Sequence, residues 1–75
     1  MNHPIERKII KLKQLKPGDG FVGEEERFGQ HPKRIPQWET VTLVTSCYGG
    51  ASTEYVCVSG RLYLGPSDSD IEVWR

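Results

Sequence analysis

Five residues in one segment have side chains of the types that most often bridge two molecules: Phe28, His31, Lys33, Arg34 and Trp38. They lie between Glu24 and Glu39, together with Gly29, Pro32 and Pro36. Aromatic residues and arginine are enriched where proteins bury surface against partners. The two prolines and the glycine argue against a regular helix or a central strand. The segment 24–39 therefore reads as a long loop, and long loops in small domains are usually functional or disordered. The chemistry expected of it is recognition of a partner. The plainer alternative is that Trp38 and Ile35 fold back to cap one end of the domain while the charges stay solvated.

A second group is cationic. Lys8, Lys11 and Lys13, with Arg7 and Lys16, crowd the start of the chain. On a small β domain, a basic groove with aromatic neighbours can hold single-stranded nucleic acid. The overall charge works against this, since ten Lys/Arg balance ten Asp/Glu. Residues 1–34 carry eight basic and five acidic side chains, and residues 35–75 carry two and five. A basic beginning and an acidic end are expected to lie together and neutralise one another.

Covalent chemistry has less support. No motif links the serines to a histidine. Gly49-Gly50 stands in a hairpin and lacks the helix N-terminus that would bind a phosphate. Glu24-Glu25-Glu26 reads as a solvated charge run. Cys47 and Cys57 have no ligand spacing to His3 or His31. The expectation is a protein without enzymatic activity, cofactor or metal.

The elements that position these groups are strands. Thr40–Tyr48, Glu54–Val58 and Arg61–Leu64 are rich in β-branched and aromatic residues and are punctuated by glycine, which predicts a three-strand meander. With a five-residue loop at 49–53 and a two-residue turn at Ser59-Gly60, Val41, Leu43, Thr45, Cys47, Tyr55, Cys57, Leu62 and Leu64 share the core face. Thr42, Val44, Ser46, Val56, Val58, Arg61 and Tyr63 share the other. In that register Cys57 is a diagonal neighbour of Cys47, and a two- or four-residue loop would put the cysteines on opposite faces. Neither arrangement makes a disulfide, so both are read as reduced.

Before the meander, Ile10 and Leu12 alternate with lysines in a first strand that ends near Leu12, and a tight turn carries Leu15 inward. Lys16-Pro17-Gly18-Asp19 has the residues of a type II turn, and Phe21-Val22 follows as a short strand. Gly65–Ser69 is a turn. Asp70–Arg75 is a last strand with Ile71 and Val73 inward and Trp74 outward. The core candidates are Ile9, Ile10, Leu12, Leu15, Phe21, Val41, Leu43, Val44, Val56, Val58, Leu62, Leu64, Ile71 and Val73. The fold expected is all-β: one domain over 1–75, a small SH3-like or partly open β-barrel of five to six short antiparallel strands.

The chain has 75 residues, and no apolar run approaches the roughly 20 residues that span a bilayer. The opening Met1-Asn-His-Pro-Ile-Glu-Arg-Lys lacks the apolar core of a signal peptide. A cytoplasmic protein without membrane contact is expected.

The run Lys11-Leu12-Lys13-Gln14-Leu15-Lys16-Pro17-Gly18-Asp19-Gly20-Phe21, then a variable loop, a Val-rich hairpin and Asp70-Ile71-Glu72-Val73, resembles small uncharacterised bacteriophage accessory proteins. The resemblance implies an SH3-like barrel and a phage or mobile-element origin, and it carries over no functional residue. Together these readings predict a protein-binding module that engages a host or phage protein through the 24–39 loop and the adjacent sheet face, with a homodimer as one form it could take. The alternatives are a single-stranded nucleic-acid-binding barrel and a sponge for a small ligand such as a nucleotide.

Overall fold

The computed structural model describes residues 5–27 and 33–75. Its sheet is wholly antiparallel and contains β1 (Arg7–Lys11), β2 (Gly20–Arg27), β3 (Lys33–Cys47), β4 (Ser52–Cys57), β5 (Leu62–Pro66) and β6 (Asp70–Trp74). The spatial order is β1-β6-β2-β3-β4-β5. Single 3-10 turns follow β1 at Leu12–Gln14 and β3 at Tyr48–Gly50. The fold is thus all-β with six antiparallel strands among the described residues, as the alternating patterns predict.

The core is small. Leu12, Leu15, Phe21, Val41, Tyr55, Cys57 and Val73 are buried, with Ile10, Val44, Tyr63 and Ile71 packed against them. Three aromatic rings hold its centre. Phe21 meets Tyr55 and Tyr63 edge-on, with centroids 5.4 and 5.3 Å apart, and the two tyrosines stack at 5.4 Å. Edge-to-face and offset contacts of this kind suit the ring quadrupoles.

The first turn forms as its residues dictate. Asp19 N donates to Lys16 O at 3.1 Å, and Gly18 takes the positive φ of 96° that the third position of a type II turn needs. Leu12 and Leu15 point inward. Ile71 faces the core and Val73 is completely buried in β6.

The segment 24–39 differs from the loop expected of it. Its first residues continue β2 to Arg27, and its last belong to β3 from Lys33, with Arg27 opposite Lys33 and Glu24 opposite Pro36. A proline excludes a central strand but not an edge, where its missing N–H faces no neighbour. Pro36 meets that condition, because β4 pairs with β3 only from Val41 onward. Phe28 and His31 lie outside the described residues.

The meander also departs from expectation, in its register. Cys47 pairs with Ser52, so the first loop has four residues. Cys57 donates its N–H to Arg61 O, and Gly60 at φ 89° donates to Cys57 O, which makes the second loop three residues long. That is the turn plus left-handed glycine of a three-residue hairpin. A bulge between Val41 and Leu43 changes the phase of β3. Each one-residue shift exchanges the faces. Val44 and Tyr63 therefore turn toward the core, while Leu43, Leu62 and Leu64 turn out to solvent. Ile9 and Val58 are exposed as well, contrary to their expected place in the core. Cys47 and Cys57 lie on opposite faces of the sheet and far apart along the ladder, so no disulfide joins them.

Candidate functional site

Trp38 projects from the outer face of β3, and Trp74 from the outer face of β6. Their rings meet with centroids 5.3 Å apart and planes tilted by 57°. What lets them meet is Gly20, the β2 residue between them, which pairs with Thr40 on one side and Trp74 on the other. A Cβ at Gly20 would overlap Trp38 Cζ2. The bare backbone there is the floor on which the indole lies. Val22, directly opposite Trp38, is on the same face. So is Ile9 of β1, opposite Glu72 of β6. Trp38 is 54% exposed, Val22 53% and Ile9 66%. Such a cluster of large apolar groups on one sheet face marks an interaction surface more often than isolated exposed residues do.

Of the five residues expected to bind a partner, Trp38 is thus exposed beside other apolar groups. Lys33 and Arg34 belong to β3, opposite Arg27 and Glu26 of β2. The structure adds Trp74 and Val22 to the surface around Trp38, and Ile9 to the same sheet face. The outward position of Trp74 was readable from alternation in the last strand. Its meeting with Trp38 was not, because it depends on β6 lying next to β2.

The basic group is engaged locally. Lys11 Nζ is 2.6 Å from Asp70 Oδ1, Lys13 Nζ is 2.9 Å from Asp68 Oδ1, and Arg7 Nε is 3.5 Å from Glu72 Oε2. Lys8 Nζ lies 3.7 Å from Glu6. The hydrogen bond and charge of Asp70 raise the pKa of Lys11, and Lys13 lowers that of Asp68. These exposed pairs add little stability. They do join the basic strand to the acidic one, as the charge distribution predicts, and they place a carboxylate beside each of Lys11 and Lys13.

A second polar cluster is enclosed. Glu39 is only 2% exposed. Its Oε2 accepts from Tyr63 OH at 2.8 Å and from Ser59 Oγ at 3.1 Å. Cys57 packs nearby and is equally buried. Burial, then the hydrogen bond to Glu39, pushes the Tyr63 hydroxyl pKa upward. Burial and the charge of Glu39 push the Cys57 thiol up to about 11. A thiol so buried and so weakly acidic is a structural group, not a nucleophile. Among the described residues, no three His, Cys, Asp or Glu side chains converge in a way that could hold a metal ion. No helix there is long and apolar enough to cross a membrane.

The Cys57 environment has a measurable consequence. Its folded pKa of about 11 exceeds the ordinary 9.0, so between these values the folded thiol keeps a proton that the unfolded one has lost. The stabilisation is complete below pH 9 and declines as pH rises toward 11, by on the order of 2 kcal/mol. Urea unfolding at pH 8 and pH 11 should show this loss, and Cys57→Ala should reduce it, leaving the share that the raised Tyr63 and Tyr55 hydroxyls contribute. An unreduced loss in the variant would mean that the tyrosines carry all of the alkaline sensitivity.

Compared with protein-family models, curated proteins and solved structures, the chain matches none.

Proposed function

We propose that the chain is a non-catalytic protein-binding module built on a small, partly open barrel. It docks on a partner protein through the outer face of β1, β6, β2 and β3. The observation that carries this reading is the Trp38–Trp74 pair, whose Trp38 ring is half open to solvent, with the exposed Val22 directly opposite Trp38 and Ile9 on the same sheet face. Tryptophan is the residue most enriched among those that dominate binding energy, because it buries a large, rigid surface at low entropic cost. The surrounding ion pairs, Arg7–Glu72 and Lys11–Asp70, form a polar rim. The barrel reading rests on two backbone bonds that tie the first 3-10 turn to the β5–β6 connection, Leu12 N to Ser69 O and Lys13 N to Ser67 O. Phage or host proteins are the partner class suggested by the resemblance of the Pro-Gly-Asp turn segment.

Affinity purification from the source cell with tagged wild-type protein, followed by titration of the recovered partner, tests the assignment. Trp38→Ala should weaken binding by roughly 30-fold, the scale of a central tryptophan. Unchanged affinity in both Trp38→Ala and Val22→Asp would remove this face from consideration. The nucleic-acid alternative predicts that affinity for a single-stranded oligonucleotide falls steeply with salt. The pairing of Lys11 and Lys13 with carboxylates weighs against it.

A further inference from the structure

We infer that β5 is a self-pairing edge through which two copies of this chain join their sheets. β5 is the last strand of the sheet and pairs only with β4. Its hydrogen-bonding phase follows from its two ends. Arg61 O accepts from Cys57 N at 3.0 Å, and Ser67 N donates to Ala51 O at 2.9 Å. Residues 61 and 67 thus direct their backbone groups toward β4. In an antiparallel ladder the direction alternates, so Tyr63 and Gly65 also face β4, while Leu62, Leu64 and Pro66 face the open side. Pro66, which has no N–H to offer, falls on that side, where a proline is tolerated.

Among the described residues, Leu62 and Leu64 therefore present an unpaired N–H and C=O along the edge. Their side chains stand on the outer face, 58% and 54% exposed. Edge strands are normally blunted by short length, proline, charged side chains, a bulge or a covering element. β5 is short and ends in Pro66, which leaves Leu62 and Leu64 as its pairing segment. β5 carries no charged residue. The apolar surface extends inward from the edge, since Leu62 is opposite Val56 and Val56 is opposite Leu43, itself 57% exposed.

A second copy is the occupant that fits both features. A two-fold axis normal to the sheet at Tyr63 sets Leu62 of one protomer opposite Leu64 of the other, and the reverse. Both are pairs of outward-directed residues, so each exchanges two backbone hydrogen bonds. The axis keeps the outer faces on the same side. Four leucines then meet at its centre, and the row Leu43, Val56, Leu62 continues onto the second protomer. The interface is isologous and closed. It rests on one short strand and a few leucines, which puts it below roughly 1,200 Å², in the range of weak, transient association.

Sedimentation equilibrium from micromolar to about 1 mM protein, the range that resolves a weak dimer, should show a monomer–dimer equilibrium. Leu64→Lys, an outward substitution on an edge, should weaken it by roughly tenfold or more while leaving the monomer folded. Trp38→Ala should leave it intact. Amide exchange gives a second readout. Protection of the Leu62 and Leu64 amides should rise with concentration, while the Tyr63 amide, already bonded to β4, stays constant. A monomer at every concentration overturns the inference. So does a dimer that Leu64→Lys leaves intact and Trp38→Ala disrupts. Leu62 and Leu64 amides protected only by a foreign chain, with the pure protein monomeric, would assign the edge to another partner and equally overturn it.

Discussion

Arg75→Ala is expected to remove about 2–3 kcal/mol of stability, a large share of what a domain this size commands. Asp19 is 4% exposed and sits at the end of the Pro17-Gly18 turn. Its Oδ2 accepts from Lys16 N at 2.9 Å, which closes the turn from the side-chain end. Arg75 then grips both carboxylate oxygens, Nε to Oδ1 at 2.9 Å and Nη2 to Oδ2 at 3.2 Å, and Nη2 also donates to Gln14 O at 2.9 Å. This fork joins the end of β6 to the turn before β2 and the turn after β1. Removing the guanidinium leaves a buried carboxylate with no countercharge, which costs more than the pair itself contributes. The Arg75 side chain is 27% exposed, so water partly replaces it, and the loss stays below that of a fully enclosed pair. Urea denaturation of Arg75→Ala, Asp19→Asn and the double variant measures the coupling. The double variant should be more stable than Arg75→Ala alone, because it no longer buries an unpaired charge. Independent, additive losses would show that Asp19 and Arg75 act separately.

The fork also shows what local sequence can convey. Pro17 and Gly18 announce the turn by themselves, and Ile71, Val73 and Trp74 announce their faces by alternation. The partner of Asp19 lies 56 positions away, and no local pattern names it. The same division runs through the site. Trp38 and Trp74 are each readable as candidates for an exposed face. Their contact depends on the order of β6, β2 and β3 and on the missing side chain of Gly20. The errors in the meander have a single physical origin. Leu43, Leu62 and Leu64 were expected inside on the strength of a five-residue first loop and a two-residue second turn, but the actual loop lengths and the bulge after Val41 set another register. With a four-residue first loop, a three-residue second loop and that bulge, Tyr55 and Cys57 face the core as expected, but Tyr63 joins them. Three leucines are left outside, and two of them lie on the open edge. Pro36 misled in another way. A proline speaks against a strand only where both neighbours need its N–H, and β3 lacks one neighbour along its first half.

The buried position least visible in sequence is also one where substitution should be most damaging. Glu39→Ala is expected to cost about 3 kcal/mol, combining a cavity with two stranded hydroxyls. A glutamate in a strand reads as a solvent-facing residue, yet Glu39 lies opposite Phe21 on the core side of β3. Its carboxylate gathers Tyr63 OH from β5 and Ser59 Oγ from the β4–β5 turn. Gly23 on β2 makes room for this. A Cβ there would overlap Tyr63 OH and come within 3.1 Å of Glu39 Cγ. One acceptor therefore fixes the rotamer of Tyr63, whose ring completes the stack with Tyr55 and Phe21, and it fixes the turn that sets the phase of β5. Glu39→Gln keeps the shape and one acceptor oxygen, so it should lose only about 1 kcal/mol. Tyr63→Phe removes one donor and should cost about as much. Chemical denaturation, with near-ultraviolet circular dichroism to report the aromatic stack, separates the cases. If Glu39→Ala unfolds no more readily than Glu39→Gln, the carboxylate is a bystander and aromatic packing alone holds β5 in register. If Glu39→Ala loses the near-ultraviolet signal along with stability, the register of the edge strand, and with it the outward display of Leu62 and Leu64, depends on this buried charge.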